Sequence, residues 1–123
     1  MKLHNGVIYG ATTALDKLVS QDWPVKNSLA LVKLHTSMKV VFDCIEKVRS
    51  GLVLKYEKEK GAGMSEANPN WDKFVNDYTA LMEDFSEIKF EKIQLPLKVN
   101  GKDVMIKPQE IQALEQFIEF KEN

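Results

Sequence analysis

The chain has 123 residues, of which 44% are hydrophobic and 28% are charged, a composition typical of one soluble globular domain. Seventeen basic and eighteen acidic side chains leave a net charge of −1, which excludes a strong overall attraction to nucleic acid or anionic lipid. The single cysteine excludes an intrachain disulfide, and with neither a signal peptide nor a membrane span predicted we expect a cytoplasmic protein.

The first predicted helix covers residues 6–20. Asn5 stands where its side chain can cap the free amide groups of the first turn. Apolar residues then recur at helical spacing at Val7, Ala11, Ala14 and Leu18. The helix ends in the stretch "SQDWPV", because the residue before a proline is disfavoured in helical geometry.

The second predicted helix is long and runs from Pro24, which suits the first position of a helix, to Lys58. Its apolar residues alternate at spacings of three and four, the heptad pattern of a coiled coil. We call these positions the seam: Leu31, Leu34, Met38, Val41, Ile45, Val48 and Leu52. A helix of this length would extend about 52 Å, which is long for a small domain.

The third predicted helix covers residues 69–86, with Asn68 as its cap and Pro69 at its first position. It repeats the seam spacing at Trp71, Phe74, Tyr78, Leu81 and Phe85. The matched spacing of the second and third helices predicts that they form an antiparallel helical hairpin. The first and third helices fold back along the long helix from opposite ends. They either meet end to end or leave part of the seam open to a second copy or a partner.

The C-terminal part, residues 87–123, has a different pattern. Ile88, Phe90 and Ile93 alternate with charged residues, which predicts a half-buried strand. The Asn100-Gly101 pair predicts the turn of an antiparallel β-hairpin, and a last helix is predicted from Pro108 to about Lys121. The chain is therefore predicted to be one α+β domain, mostly helical, with its helical part in residues 1–86.

Histidine and cysteine, which often act as metal ligands or catalytic groups, are few in this chain: two histidines and one cysteine. His35 and Cys44 are nine positions apart, so they lie on opposite sides of one helix and cannot share a metal ion within the chain. Cys44 lies beside the seam without a glycine turn, so we interpret it as a small apolar residue at a helix interface. A Cys44–His4 pair stays a minor alternative, and no phosphate-binding or nucleophile motif is present. We expect no metal, no cofactor and no enzymatic activity.

Charge is spread unevenly, with ten basic against six acidic residues in 1–60 and seven against twelve in 61–123. We expect the two halves to pack with complementary charge; the alternative is a basic face for an acidic partner. The second helix carries five basic residues that could contact nucleic acid: Lys26, Lys33, Lys39, Lys47 and Arg49. They spread round the helix, and a lone arginine argues against sequence-specific recognition of bases.

Aromatic residues offer a different kind of site, because buried aromatic side chains carry much of the binding energy of protein interfaces. Trp71 and Phe74, on the apolar face of the third helix, are interpreted as core. Tyr56 and Phe120 lie near the ends of predicted elements, and Trp23 lies at a helix junction, where it can also pack over the turn. Tyr56, Trp23 and Phe120 are the predicted partner-binding residues.

Several segments together resemble an uncharacterised family of small proteins encoded by phages and prophages of Gram-positive bacteria. They are "MKLHNGVIYGATTALDKL", "WPVKNSLALVKL", "KVRSGLVLKYEKEKG", "FEKIQLPL" and "IKPQEIQALEQFIEF". The resemblance covers most of the chain and implies a phage protein that acts in the host cytoplasm or during virion assembly. It implies no activity and no functional residues.

These observations predict a protein-binding role without catalysis. One version is an assembly accessory or structural protein of a phage. The other is an inhibitor or modulator of a host protein, such as a bacterial defence system. A nucleic-acid-associated protein is a second alternative, and a homo-oligomer formed through the seam is also possible.

Overall fold

The helices of the computed structural model, which describes residues 1–121, make up most of its regular structure. They are α1 (Asn5–Val19), α2 (Val25–Tyr56), α3 (Trp71–Glu83) and α4 (Pro108–Leu114). The strands are β1 (Lys2–His4), β2 (Phe85–Glu87), β3 (Ile93–Pro96), β4 (Lys98–Val99), β5 (Lys102–Asp103) and β6 (Ile118–Lys121). The predicted fold class, α+β and mostly helical, is confirmed. Within these residues no helix is both long and apolar enough to cross a membrane.

The long helix α2 is the central element, and its seam faces the core. Its first hydrogen bond joins Ser28 N to Pro24 O at 3.0 Å, so Pro24 lies one position before the helix and not at its first position. The seam is buried at Leu31, Leu34, Met38 and Ile45, and Val41 packs partly buried against the core. Towards the C-terminal end the burial is incomplete, since Val48 is 49% exposed.

Two shorter helices cover the seam by meeting end to end, which is the first of the two predicted arrangements. Antiparallel packing of α1 on α2 brings Asp16 to His35 and Tyr9 to Glu46. α3 follows from the other end of α2, and its last turn reaches the start of α1, where Asn5 N donates to Asp84 O at 2.7 Å. The negative end of the α3 dipole thus faces the positive end of α1, an attractive alignment.

Asn5 does not cap α1 as predicted. It is the first residue of that helix, and its Nδ2 donates to Leu81 O at 2.8 Å while its Oδ1 accepts from Ser86 Oγ at 2.5 Å. Next to this contact between α1 and α3, β1 pairs antiparallel with β2, with Leu3 opposite Ser86. The side chain therefore satisfies a carbonyl at the end of α3, because the first amide of α1 already has a partner there.

Asn68 is likewise not the cap of α3, which begins at Trp71 with Asn70 as its flanking residue. Asn68 Oδ1 accepts from Asn70 N at 2.7 Å, and Asn68 Nδ2 donates to Tyr56 O at 2.9 Å. One side chain thus satisfies a carbonyl at the end of α2 and orders the approach to α3. Pro69 consequently precedes the helix and does not occupy its first position.

The C-terminal part contains one confirmed and two wrong predictions. The hairpin of β4 and β5 turns at Asn100 and Gly101, both with positive φ (53° and 78°), as the Asn-Gly signal predicts. The predicted continuous strand is instead split into β2 and β3, with residues 88–92 in neither a helix nor a strand.

The last helix does not reach Lys121. Pro108 does occupy its first position, but α4 ends at Leu114 and Ile118–Lys121 forms β6, which pairs in parallel with β3. The segment "IEFK" alternates buried Ile118 and partly buried Phe120 with exposed charged residues, the period of a strand. Tertiary pairing with β3 thus decides its structure.

Candidate interaction surface

Trp23 is a core residue in this fold. Its side chain joins the main apolar cluster, and its indole Nε1 donates to Leu18 O at 2.8 Å, near the end of α1. The ring therefore packs over the α1–α2 turn. With 9% of the residue exposed, it offers little surface to a partner.

Tyr56 ends α2 and joins it to α3. Its hydroxyl donates to Asp77 Oδ2 at 2.6 Å, and Lys55 Nζ lies 5.0 Å from the centre of its ring. The ring is partly exposed, while its polar end is already paired within the chain. This geometry stabilises the helical hairpin and leaves the ring partly exposed.

Phe120 lies in β6 opposite Leu95 and is partly buried. It lines an open hollow of about 410 Å³ between the β-hairpin, α4 and β6, together with Leu97 and Ile111, which are partly exposed. The three predicted partner-binding residues are thus not one site. Trp23 and Tyr56 lie at opposite ends of α2, roughly 48 Å apart along the helix axis. Phe120 lies in the sheet of β3 and β6. Their role in partner binding stays a prediction.

The histidines and the cysteine do not converge. His35 Nε2 lies 2.5 Å from Asp16 Oδ1 on the face of α2 that α1 covers, and His4 Nδ1 lies 2.6 Å from Glu83 O. Cys44 is exposed, so its assignment to a helix interface is wrong. The reason is that α1 packs on the other side of the seam from Cys44. Among residues 1–121 no three His, Cys, Asp or Glu side chains are placed to hold a metal ion.

Tyr9 forms a polar contact that the sequence did not suggest. Its hydroxyl donates to Glu46 Oε1 at 2.5 Å, and its ring stacks on Phe42 with centres 4.7 Å apart. The hydrogen bond to the Glu46 carboxylate raises the pKa of Tyr9, with burial adding to the shift. The contact fixes the lateral position of α1 on α2.

The face of α2 opposite the seam carries an exposed apolar row that sequence reasoning missed. We call it the apolar stripe: Val25, Leu29, Val32 and Val40, which are 85%, 55%, 49% and 63% exposed. At 100° per residue these four positions lie within one narrow sector of the helix, over about 22 Å of its length. In the sequence these positions follow at spacings of four, three and eight, interrupted at Thr36, whereas the seam pattern identified only the opposite face.

An open groove lies beside the stripe, between the N-terminal half of α2 and residues 89–94. We call it the lysine groove, because Lys26 and Lys33 line it from α2 and Lys89 and Lys92 line it from the other side. Its volume is about 720 Å³, and Leu29 belongs to both the groove and the stripe. Asn27 Nδ2 donates to Gln94 O at 3.3 Å, which connects the two walls.

Comparisons of the chain with family models, with curated proteins and with solved structures found no match. The resemblance to a phage family therefore stays a prediction.

Proposed function

We propose that this protein is a protein-binding module without catalytic activity, and that the apolar stripe of α2 is its main binding surface. The observation that carries the proposal is the exposure of four aliphatic side chains in one row, Val25, Leu29, Val32 and Val40. Scattered apolar residues are normal on a protein surface, but several exposed aliphatic side chains on one face of a helix, here interrupted at Thr36, indicate an interaction surface.

The stripe is not left over from an incomplete core. The seam on the opposite face of α2 already buries Leu31, Leu34, Met38 and Ile45 under α1 and its neighbours. Covering a half-exposed aliphatic side chain contributes roughly 1 kcal/mol, so the four together favour association by about 4 kcal/mol before any polar contact. That gain is a substantial part of what a docking helix or loop needs.

Two packed helices support α2 beneath the stripe. α1 and α3 meet end to end beneath α2. At their junction the main-chain amide and the side chain of Asn5 donate to carbonyl oxygens at the end of α3. A surface that is already ordered loses little conformational entropy on binding. This mode corresponds to recognition through one face of a helix.

The partner is a different protein and not a second copy of the chain. Lys26 and Lys33 flank the stripe on one side, and neither forms an ion pair within residues 1–121. Two copies paired along their stripes would bring these lysines towards each other, which opposes association. A homo-oligomer formed through the seam would bury less apolar surface than contact through the stripe, since the seam is already covered as far as Ile45.

Two biological versions of the proposal follow from the resemblance. In one the protein is a phage assembly accessory or structural component, and in the other it inhibits or modulates a host protein such as a defence system. Both act in the host cytoplasm.

The nucleic-acid alternative is less favoured. Lys39 already pairs with Asp43 at 3.4 Å and lies over the Phe42 ring, and the remaining basic residues of α2 spread round the helix. Retention on DNA that falls steeply with salt would support this alternative, whereas no retention at low salt would end it.

Affinity capture from lysates of infected or lysogenic host cells tests the proposal. We expect the native protein to retain a partner that the double variant Val32→Ser/Val40→Ser loses. Val75→Ser on α3, also partly exposed, is the matched control and should retain it. A captured virion protein favours the assembly version, and a captured host protein favours the inhibitor version. Equal capture by all three proteins would contradict the proposal.

A further inference from the structure

We infer that the lysine groove binds an extended acidic segment of the partner protein. This inference rests on the proposed function, because it describes the polar part of the same recognition event. The groove adjoins the apolar stripe at Leu29, so one partner can cover both surfaces.

The groove carries more positive than negative charge. Four lysines, Lys26, Lys33, Lys89 and Lys92, line the groove, against one carboxylate, Glu91. Across residues 1–121 none of these lysines forms an ion pair, whereas Lys17 and Lys39 each pair with a carboxylate. Within residues 1–121 this positive charge is only partly offset, by Glu91 in the groove and by Glu87, whose carboxylate interacts with Lys89, and an anionic ligand would neutralise the rest.

The shape and lining of the groove are the second argument. Leu29, Ala30 and Phe90 provide apolar surface between the lysines. Residues 88–92 form neither a helix nor a strand, so the main chain along one wall is not paired in a sheet. An extended peptide offers carboxylates to the lysines, apolar side chains to Leu29 and Phe90, and main-chain groups to this wall.

The same lining disfavours nucleic acid as the ligand. The only arginine of the chain, Arg49, is not among the groove residues, so bidentate phosphate contacts are absent there. The only aromatic residue in the groove, Phe90, packs against Phe117 with ring centres 4.8 Å apart and is partly buried. It is therefore poorly placed to stack on a base.

Fluorescence anisotropy with three labelled probes tests the inference. The probes are a peptide of ten glutamates, the same peptide with two central leucines, and a ten-nucleotide oligothymidylate. We expect the leucine-containing peptide to bind about tenfold more tightly than the glutamate peptide, because Leu29 and Phe90 cover apolar side chains. We expect both affinities to fall with added salt, and the oligothymidylate to bind more weakly than either peptide.

The matched variants are two pairs of charge reversals. Lys33→Glu/Lys89→Glu changes both walls of the groove, and Lys58→Glu/Lys60→Glu makes the same change in net charge beyond the far end of α2, where both lysines are exposed. The groove variant should weaken peptide binding at least about tenfold, and the distal variant less than about twofold. Lys33→Gln/Lys89→Gln removes the charges without reversing them, so its loss of peptide affinity should lie between those of the other two variants. Circular dichroism should show the native helix content in all three variants.

Three outcomes would overturn the inference. They are no binding of either peptide, equal losses in the groove and distal variants, and tighter binding of the oligothymidylate with the same dependence on Lys33 and Lys89. The last outcome would assign the groove to nucleic acid.

The inference and the proposed function can fail separately. Val32 and Val40 lie outside the groove, so capture that survives their replacement would contradict the stripe while the peptide titrations still report on the groove. Loss of peptide binding in the groove variant, with unchanged capture of the partner, would remove the groove from partner recognition and leave the proposed function standing.

Discussion

Asn5 Nδ2 donates a hydrogen bond to the carbonyl oxygen of Leu81 at 2.8 Å, and this contact joins the start of α1 to the last turn of α3. Asn5 is 6% exposed, and its other side-chain atom accepts from Ser86 Oγ. Because the two short helices meet here, the long helix α2 has covering helices over most of its length. This junction therefore links the two helices that support α2 on the face opposite the apolar stripe.

Asn5→Ala should destabilise the fold by about 2 kcal/mol, because it leaves Leu81 O and Ser86 Oγ without their partner in a largely buried position. Urea denaturation followed by circular dichroism measures the free energy of unfolding. Thr13→Ala is the control, since Thr13 is exposed and makes only a 3.3 Å bond to Tyr9 O. A loss below about 0.5 kcal/mol in Asn5→Ala would show that the junction does not stabilise the fold.

Tyr9→Phe should change how stability depends on alkaline pH. The hydrogen bond to Glu46 raises the pKa of Tyr9 above its ordinary value, so the folded state favours the protonated phenol. The resulting contribution to stability is fully present below the pKa that Tyr9 has in the unfolded state. It is lost as the pH rises through the higher pKa that Tyr9 has in the folded state. Denaturation midpoints of the native protein should therefore fall more steeply above about pH 10 than those of Tyr9→Phe. Parallel curves for the two proteins would contradict this account.

Trp23 should behave as a core residue. Trp23→Ala should cost about 3–5 kcal/mol of stability, because it removes a large buried ring and its bond to Leu18 O. Trp23→Phe keeps most of the apolar volume and should cost less, while leaving partner capture unchanged. Loss of capture in a folded Trp23→Phe protein would instead support the sequence-based prediction that Trp23 contacts a partner.

Sequence periodicity predicted the helical part of the fold well. The three-and-four spacing from Leu31 to Ile45 identifies positions that are buried or, at Val41, partly buried, because the apolar face of a helix follows from local geometry alone. The Asn100-Gly101 turn was predictable for a similar reason, since both positions require positive φ. Local signals of this kind act within a few residues and need no knowledge of the packed structure.

Features that depend on distant partners were not predicted. Asn5 looked like a helix cap, but its partners lie 76 and 81 residues away in the sequence. Residues Ile118–Lys121 continued a helical pattern, yet pairing with β3 makes them a strand. The apolar stripe was missed because it shares one helix with the seam, and only the packed structure shows which of the two apolar faces is covered. The lysine groove needs Lys89 and Lys92 beside α2, which sequence alone does not place there.

The apolar stripe should contribute little to folding. Val32→Ser/Val40→Ser should change the free energy of unfolding by less than about 1 kcal/mol, because the two side chains are already 49% and 63% exposed. Met38→Ala, at a fully buried seam position on the same helix, should cost about 2–5 kcal/mol. A large destabilisation by the stripe variant would mean that these residues support the fold, and lost capture would then have a structural cause.

Photocross-linking from the stripe tests the central claim most directly. Benzoylphenylalanine is placed at position 40 in the stripe, or at position 13 on the exposed face of α1 as a control, and the protein is irradiated with its captured partner. We predict a cross-linked heterodimer from position 40 and none from position 13. Equal cross-linking from both positions, or cross-linking from position 13 alone, would contradict the assignment of this face of α2 as the binding surface.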